Sequence, residues 1–246
     1  MSVIIRPDYH DNFVLNGIVR NNHYEFQIAK PAHKDGIIDI FTDSFCNSEP
    51  MTQYLNINPA NFKEFTAEVT ENAIKDRLSI VATCNKKVIA CTLIEDLAAM
   101  HDVPVDFDPN FKYIIGVLEK LGEDFFTNKE FTKCCIAHLF ITAVSKDFRG
   151  KGLSTQVNFR AMNLASENGF KFVYSELTNH LNTQGIINHL ANKKRLIGSC
   201  VYNEFEMDGI KPFANLDGKA DGYLWEIQKN AKLMYVANDR VFVESL

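Results

Sequence analysis

Nowhere in the 246 residues does an apolar run approach the roughly 20 residues that cross a bilayer. The opening ten residues carry Arg6, Asp8 and His10 where an export signal would be apolar. Both absences set the expectation of a cytoplasmic protein with no membrane partner. A basic block is missing too. Lys and Arg number 26 against 31 Asp and Glu, a net charge of −5 spread along the chain, so a nucleic-acid partner is not expected. The six cysteines form no C-x-x-C pair and show no disulfide or zinc spacing, which reads as reduced core residues. The seven histidines include no H-E-x-x-H or related spacing, and no metal is expected. Internal repeats and low-complexity tracts are absent as well.

What is present is apolar material, 46% of the residues, with 23% charged, enough for one sizeable core and read here as one domain over 1–246. Ile37, Ile38, Phe41 and Phe45 fall at helical spacing within Pro31–Phe45, and Pro50 forces the chain out of helix at or before Glu49. After Asn58-Pro59 a second helix follows, with Phe62, Phe65, Val69, Ala73 and Ile74 on one face. Leu78–Thr83 and Lys87–Ile94 read as a hairpin, Met100–Asn110 as a loop long enough to serve in a binding wall, and Phe111–Phe126 as a helix.

Cys134–Val144 is almost wholly apolar, as a strand buried on both faces should be. A helix over Thr155–Glu167, a strand over Phe170–Leu177 and a shorter helix over Thr183–Ala191 continue a β-α-β-α succession. Gly198–Phe205 and Ala231–Ala237 read as final strands, separated by a polar, glycine-rich segment over Asp208–Gly222.

Between the central strand and the helix after it lies Arg149-Gly150-Lys151-Gly152-Leu153-Ser154. Glycines at such a junction let several backbone N–H groups converge, and the helix N-terminus adds partial positive charge, so the natural guest is a phosphate anion. A plain tight turn would look the same. The segment is neither a P-loop, which needs G-x-x-x-x-G-K-[ST], nor the dinucleotide fingerprint, which needs a third glycine.

Arg149, Gly152 and Ser154, preceded by the strand Ala137–Val144, fit R/Q-x-x-G-x-G/A and resemble motif A of the GNAT N-acetyltransferases, with Ser154 in place of the usual glycine or alanine. Phe41 to Met51, ending in Glu49-Pro50-Met51, resembles the F-x-x-x-x-x-x-[DE]-E-P-[LM] signature of the insect-type arylalkylamine (dopamine) N-acetyltransferases, with Ser48 where an acid is usual. Ala231-Lys232-Leu233-Met234-Tyr235 is a second echo.

The resemblance implies an α/β fold with a mixed sheet of about six to seven strands flanked by helices. It further implies a splay between the fourth and fifth strands, the one at Leu139–Val144 and the one at Lys171–Leu177. Acetyl-CoA would be the acyl donor. The implied contacts are the main chain of Phe140, Ile141, Thr142 and Val144 and the turn Arg149, Gly150, Lys151, Gly152, Leu153 and Ser154. A small primary amine would be the acceptor, in a monomer or homodimer. The alternatives are a protein N-terminal or lysine acetyltransferase, and a CoA-binding module without catalysis.

An alkylamine with a pKa near 10.4 is almost all ammonium at neutral pH, so a base is needed, and the resemblance gives Glu49 that role. Glu49 could equally be a solvated helix-end acid. No tyrosine occurs in Leu177–Thr183 to protonate the leaving thiolate. Thr183 is then the nearest hydroxyl, with Asn182 and His180 as rivals, although Asn182 or Thr183 could simply cap the next helix. His138, inside an apolar strand, reads as a satisfied core histidine.

Overall fold

The computed structural model describes residues 15–19, 22–102, 106–179 and 193–245. Strands β1 (Leu15–Val19) and β2 (Asn22–Ile28) lead into α1 (Lys34–Ser48), a short α2 (Pro50–Tyr54) and α3 (Pro59–Asp76). In α1, Ile37, Ile38, Ile40 and Phe41 are buried, and the helix stops where Pro50 drives Glu49 into extended backbone, φ −83° and ψ 127°. Asn58 caps α3, accepting from the Ala60 amide at 2.9 Å, with Pro59 preset in the first turn.

The hairpin of β3 (Ile80–Cys84) and β4 (Lys87–Asp96) turns through Asn85 and Lys86, both at positive φ, a two-residue connection that matches strand twist. Then follow α4 (Phe111–Phe126), β5 (Glu130–Phe131), β6 (Ile136–Val144), α5 (Leu153–Glu167) and β7 (Phe172–Leu177). The chain closes with β8 (Lys193–Val201), β9 (Lys219–Glu226), β10 (Leu233–Ala237) and β11 (Arg240–Glu244).

The main sheet runs β1-β2-β3-β4-β6-β7-β9-β8, and β11-β10-β5 form a second, three-stranded sheet. The expected mixed α/β sheet is there, enlarged to eight strands because the short β1 adds to β2 ahead of α1. One core lies under α1, α3 and α4, and another lies between the opposite face of the sheet and α5. No helix among the described residues is long and apolar enough to cross a membrane.

Every pairing in the main sheet is antiparallel except β6 with β7, whose parallel register covers only Ile136–His138 against Phe172–Tyr174. Beyond those residues the two strands part. The cause is visible one strand away: Leu93 pairs with Ile141 but Ile94 with Leu139, so Phe140 is an extra residue bulged out of the β4–β6 ladder. The bulge also exchanges faces: Ala137 and Leu139 pack toward α5, whereas Ile141 and Ala143 pack under α1 and α3.

Several boundaries differ from the sequence reading. The strand expected over Gly198–Phe205 is β8, ending at Val201 and followed by a 3-10 turn at Tyr202–Glu204. Inside the polar segment Asp208–Gly222 begins β9, at Lys219, where Asp221 and Gly222 interrupt the apolar pattern of a strand. A glycine is needed where α4 crosses this edge, because a Cβ on Gly198 would sit 2.0 Å from the Leu121 carbonyl oxygen. The helix expected over Thr183–Ala191 lies outside the described residues.

Candidate active site

The parting of β6 and β7 opens a cavity of about 700 Å³ bounded by the α1–α2 junction, α3, α4, both strands and the start of α5. Gly150 and Gly152 turn the chain from β6 into α5 at φ +72° each, the left-handed region that glycine enters without penalty. No hydrogen bond within the described residues uses the amides of residues 150–155, and the first bond of α5 is Gln156 N–H to the Gly152 carbonyl at 3.1 Å. Consecutive unpaired amides at a helix start form an anion cradle. Gly150, Gly152, Leu153 and Ser154 line the cavity, as do Phe140, Ile141, Thr142 and Val144.

Two members of the expected turn behave differently. Arg149 also lines the cavity, but its side chain bonds Ser48 Oγ at 2.9 Å and the Val144 carbonyl at 3.2 Å, tying α1 to the end of β6. The Lys151 ammonium lies on the Asp147 carbonyl at 3.0 Å and over the Phe148 ring. Its contribution to an anion site would be its backbone amide.

Glu49 stands at the hinge between α1 and α2, 8% exposed, on the cavity wall. One oxygen, Oε2, caps α2 by accepting from the amide and the hydroxyl of Thr52, both at 2.6 Å. The other, Oε1, is buried and has no hydrogen-bond partner among the described residues. It is thus a helix-end acid, but a buried one. Burial pushes its pKa up, against the pull of Thr52, the Met51 amide and, least, the Thr178 hydroxyl, which stands outside hydrogen-bonding geometry. A carboxylate short of solvation and with an unused oxygen is a stronger base than one in water.

Aromatic and aliphatic side chains close the rest: Phe62 and Phe65 from α3, with Phe111, Ile114 and Leu118 from α4. Phe65 stacks on Phe107 at 5.3 Å and packs on Phe111 at 4.9 Å. Phe107 belongs to the Met100–Asn110 loop, so that loop supports the wall from behind; none of its described residues lines the cavity. On the α5 side Asn158, fully buried, accepts from the Thr142 hydroxyl at 2.7 Å, while its Nδ2 has no partner among the described residues.

Thr183, Asn182 and His180 lie outside the described residues. Thr178, Ser175 and Asn158 line the cavity and were not singled out in the sequence, where isolated polar residues in mixed segments carry no spacing signal. The tyrosine electrostatically coupled to Glu49, Tyr202, donates to the Thr178 carbonyl at 2.5 Å; burial, ahead of Glu49, makes it a weaker acid than a free phenol.

His138 is the satisfied buried histidine expected. Its Nδ1 meets Glu95 Oε1 at 3.0 Å and its Nε2 meets Glu176 Oε2 at 2.8 Å. Burial alone would push the imidazole down, but Glu176 and Glu95 overrule it and raise the pKa to about 10. Against an ordinary value of 6.5, this contribution to stability is complete below about pH 6.5 and is lost as pH rises through about 10. Denaturant titrations should therefore show wild-type stability falling across that window. His138→Gln should lose about 3–5 kcal/mol, because two largely buried carboxylates, 13% and 11% exposed, are left without their cation. Equal stability of the variant and wild type at pH 7 would refute the ion triad.

No family model and no curated protein sequence matches the chain. Solved structures do. The C-terminal condensation domain of Ebony, in complex with beta-alanyl-dopamine, superposes with a TM-score of 0.75 at 17% identity, over 85% of this chain and 100% of that one. A putative arylalkylamine N-acetyltransferase 7 of the yellow fever mosquito Aedes aegypti gives 0.68 at 14%, over 84% and 89%. Arylalkylamine N-acetyltransferase 2 of Aedes aegypti gives 0.63 at 18%, over 83% and 99%. The chain has the GNAT fold. In this GNAT sheet the glycine turn follows the bulged strand β6, and the acid of the α1–α2 junction faces the same cavity, though the two are separated by 100 residues of sequence.

Proposed function

We propose that the chain is an N-acetyltransferase moving the acetyl group of acetyl-CoA to a small primary amine, an arylalkylamine or alkylamine. One observation carries the reading: a single cavity runs from the unpaired amides of the glycine turn past Glu49 to a wall of phenylalanines. The pyrophosphate of the donor suits the amides, and its pantetheine arm suits the gap between β6 and β7, with Asn158 Nδ2 a donor in need of an acceptor. The phenylalanines suit an aromatic acceptor.

In the reaction the amine nitrogen attacks the thioester carbonyl carbon, its proton passes to Glu49, the C–S bond breaks and the thiolate leaves, to be protonated from a hydroxyl or water. Thr183 and Asn182 keep their candidacy as that acid. A wall packed as tightly as Phe62, Phe65 and Phe111 favours a small acceptor over a protein N-terminus or a lysine side chain.

The likeness to the Ebony domain favours a second reading, in which the acceptor chemistry is kept but the donor is an aminoacyl group. Release of free thiol from acetyl-CoA with a panel of arylalkylamines, alkylamines and peptides separates the two. Thiol release with amines supports acetyl transfer; none with any acceptor refutes it.

Binding gives an independent check. A ligand held only by the folded state adds about 2.7 kcal/mol at a hundredfold excess over Kd. Acetyl-CoA should then raise Tm by roughly 5–10 °C, with NAD and ATP giving much less. A larger shift with either nucleotide would point to a different phosphate-binding function.

A further inference from the structure

Large exposed apolar side chains concentrate at the second sheet: Met234, Val241, Phe242 and Val243 are 39–67% exposed. All belong to the β10–β11 hairpin. Its turn, Asn238-Asp239, has both residues at positive φ, and Ala237 pairs directly with Arg240. In a two-residue hairpin the residues flanking the turn exchange both backbone bonds, and alternate residues do so thereafter. Arg240, Phe242 and Glu244 therefore spend their backbone groups on β10. Those of Val241 and Val243 point the other way, where no described strand pairs with β11.

The sequence of this edge is its own complement. Read against a second copy running antiparallel, with the twofold axis at Phe242, Arg240 meets the partner's Glu244 and Val241 meets the partner's Val243. The two Val241–Val243 pairs would each exchange two backbone bonds, and both Arg240–Glu244 pairs would bring opposite charges together. Val241, Val243 and their cross-strand neighbours Val236 and Met234 share one face, so pairing would assemble eight apolar side chains across the junction. Any other register sets Arg240 or Glu244 against an apolar or like-charged residue.

We propose that β11 is a homodimerisation edge, joining two copies of the chain through antiparallel β11–β11 pairing centred on Phe242 to make one six-stranded sheet. Glu244 also meets Arg195 of its own chain at 3.4 Å, an exposed pair. The occupant is a second copy because the charge order along the edge, basic at Arg240 and acidic at Glu244, is complementary to itself reversed. The contact is small, so exchange between monomer and dimer should be rapid and concentration-dependent.

Sedimentation velocity from about 10 μM to about 1 mM reads it directly, a range that brackets a weak association. The expected result is a reversible monomer–dimer equilibrium. Val243→Pro removes an outward amide while sparing the bonds to β10, so it should weaken dimerisation at least tenfold with Tm unchanged. Arg240→Glu should do the same by opposing two acids. Adding Glu244→Arg to it, with Arg195→Glu to keep the opposite-charge pair within each chain, should restore the dimer, since the reversed edge is again self-complementary. A monomer throughout the range, a dimer indifferent to Val243→Pro, a charge reversal that fails to rescue, or open-ended growth would each overturn the proposal.

Discussion

Glu49→Gln should lower kcat/KM for an arylalkylamine by about 10²-fold or more at pH 7, the scale of a lost general base. The glutamine oxygen can still accept from the Thr52 amide, so the cap on α2 survives and the fold should stay intact. What is lost is the ability of the buried carboxylate to take a proton. Because raising the pH supplies free amine without help, the deficit should shrink as pH approaches about 9–10, below the amine pKa of about 10.4. A role confined to attracting the ammonium would look different. The loss would then fall on KM and fade with salt. Wild-type kcat/KM in the variant at pH 7 would remove Glu49 from the mechanism.

Gly152→Asp should reduce affinity for acetyl-CoA by about 10²–10³-fold. A Cβ at this position meets nothing within 4 Å, so the protein has room for the side chain. The left-handed backbone costs about 1–2 kcal/mol, least for Asp and Asn. The carboxylate would sit beside amides that have no partner among the described residues and would compete for them. It would also oppose a phosphate at close range, worth about 4 kcal/mol at 4 Å for an effective dielectric of 20. Gly152→Ala carries the strain without the charge and should lose far less. Calorimetry giving the same Kd for Gly152→Asp and wild type would exclude the turn as the phosphate site.

Much of the layout is written in local patterns. Pro50 and Asn58-Pro59 punctuate the helices because their backbone demands are met within a few residues, and the apolar run of β6 announces a strand covered on both faces. The glycine turn is legible for the same reason. The bulge at Phe140 is not, since it arises from the offset between β4 and β6 and not from any residue that requires it. Glu95 and Glu176 lie 81 residues apart and look like ordinary acids until the sheet sets both against His138. The strand β9 hides because Asp221 and Gly222 interrupt its pattern; Asp221 is buried against the Ser199 hydroxyl at 2.6 Å, a partner on the neighbouring strand.

The phenylalanine wall is at the same time the core beneath α3 and α4. Phe62, Phe65 and Phe111 face the cavity on one side and each other, Phe107 and Phe45 on the other. Enlarging the cavity by cutting one of them to alanine would cost about 3–5 kcal/mol, a large part of a typical domain's net stability. Acceptance of bulkier ligands and thermal robustness are therefore not separately adjustable here. A lineage or an engineer seeking a new acceptor would first have to accumulate stabilising changes elsewhere, or exchange volume among these rings in pairs, before any one of them could be given up.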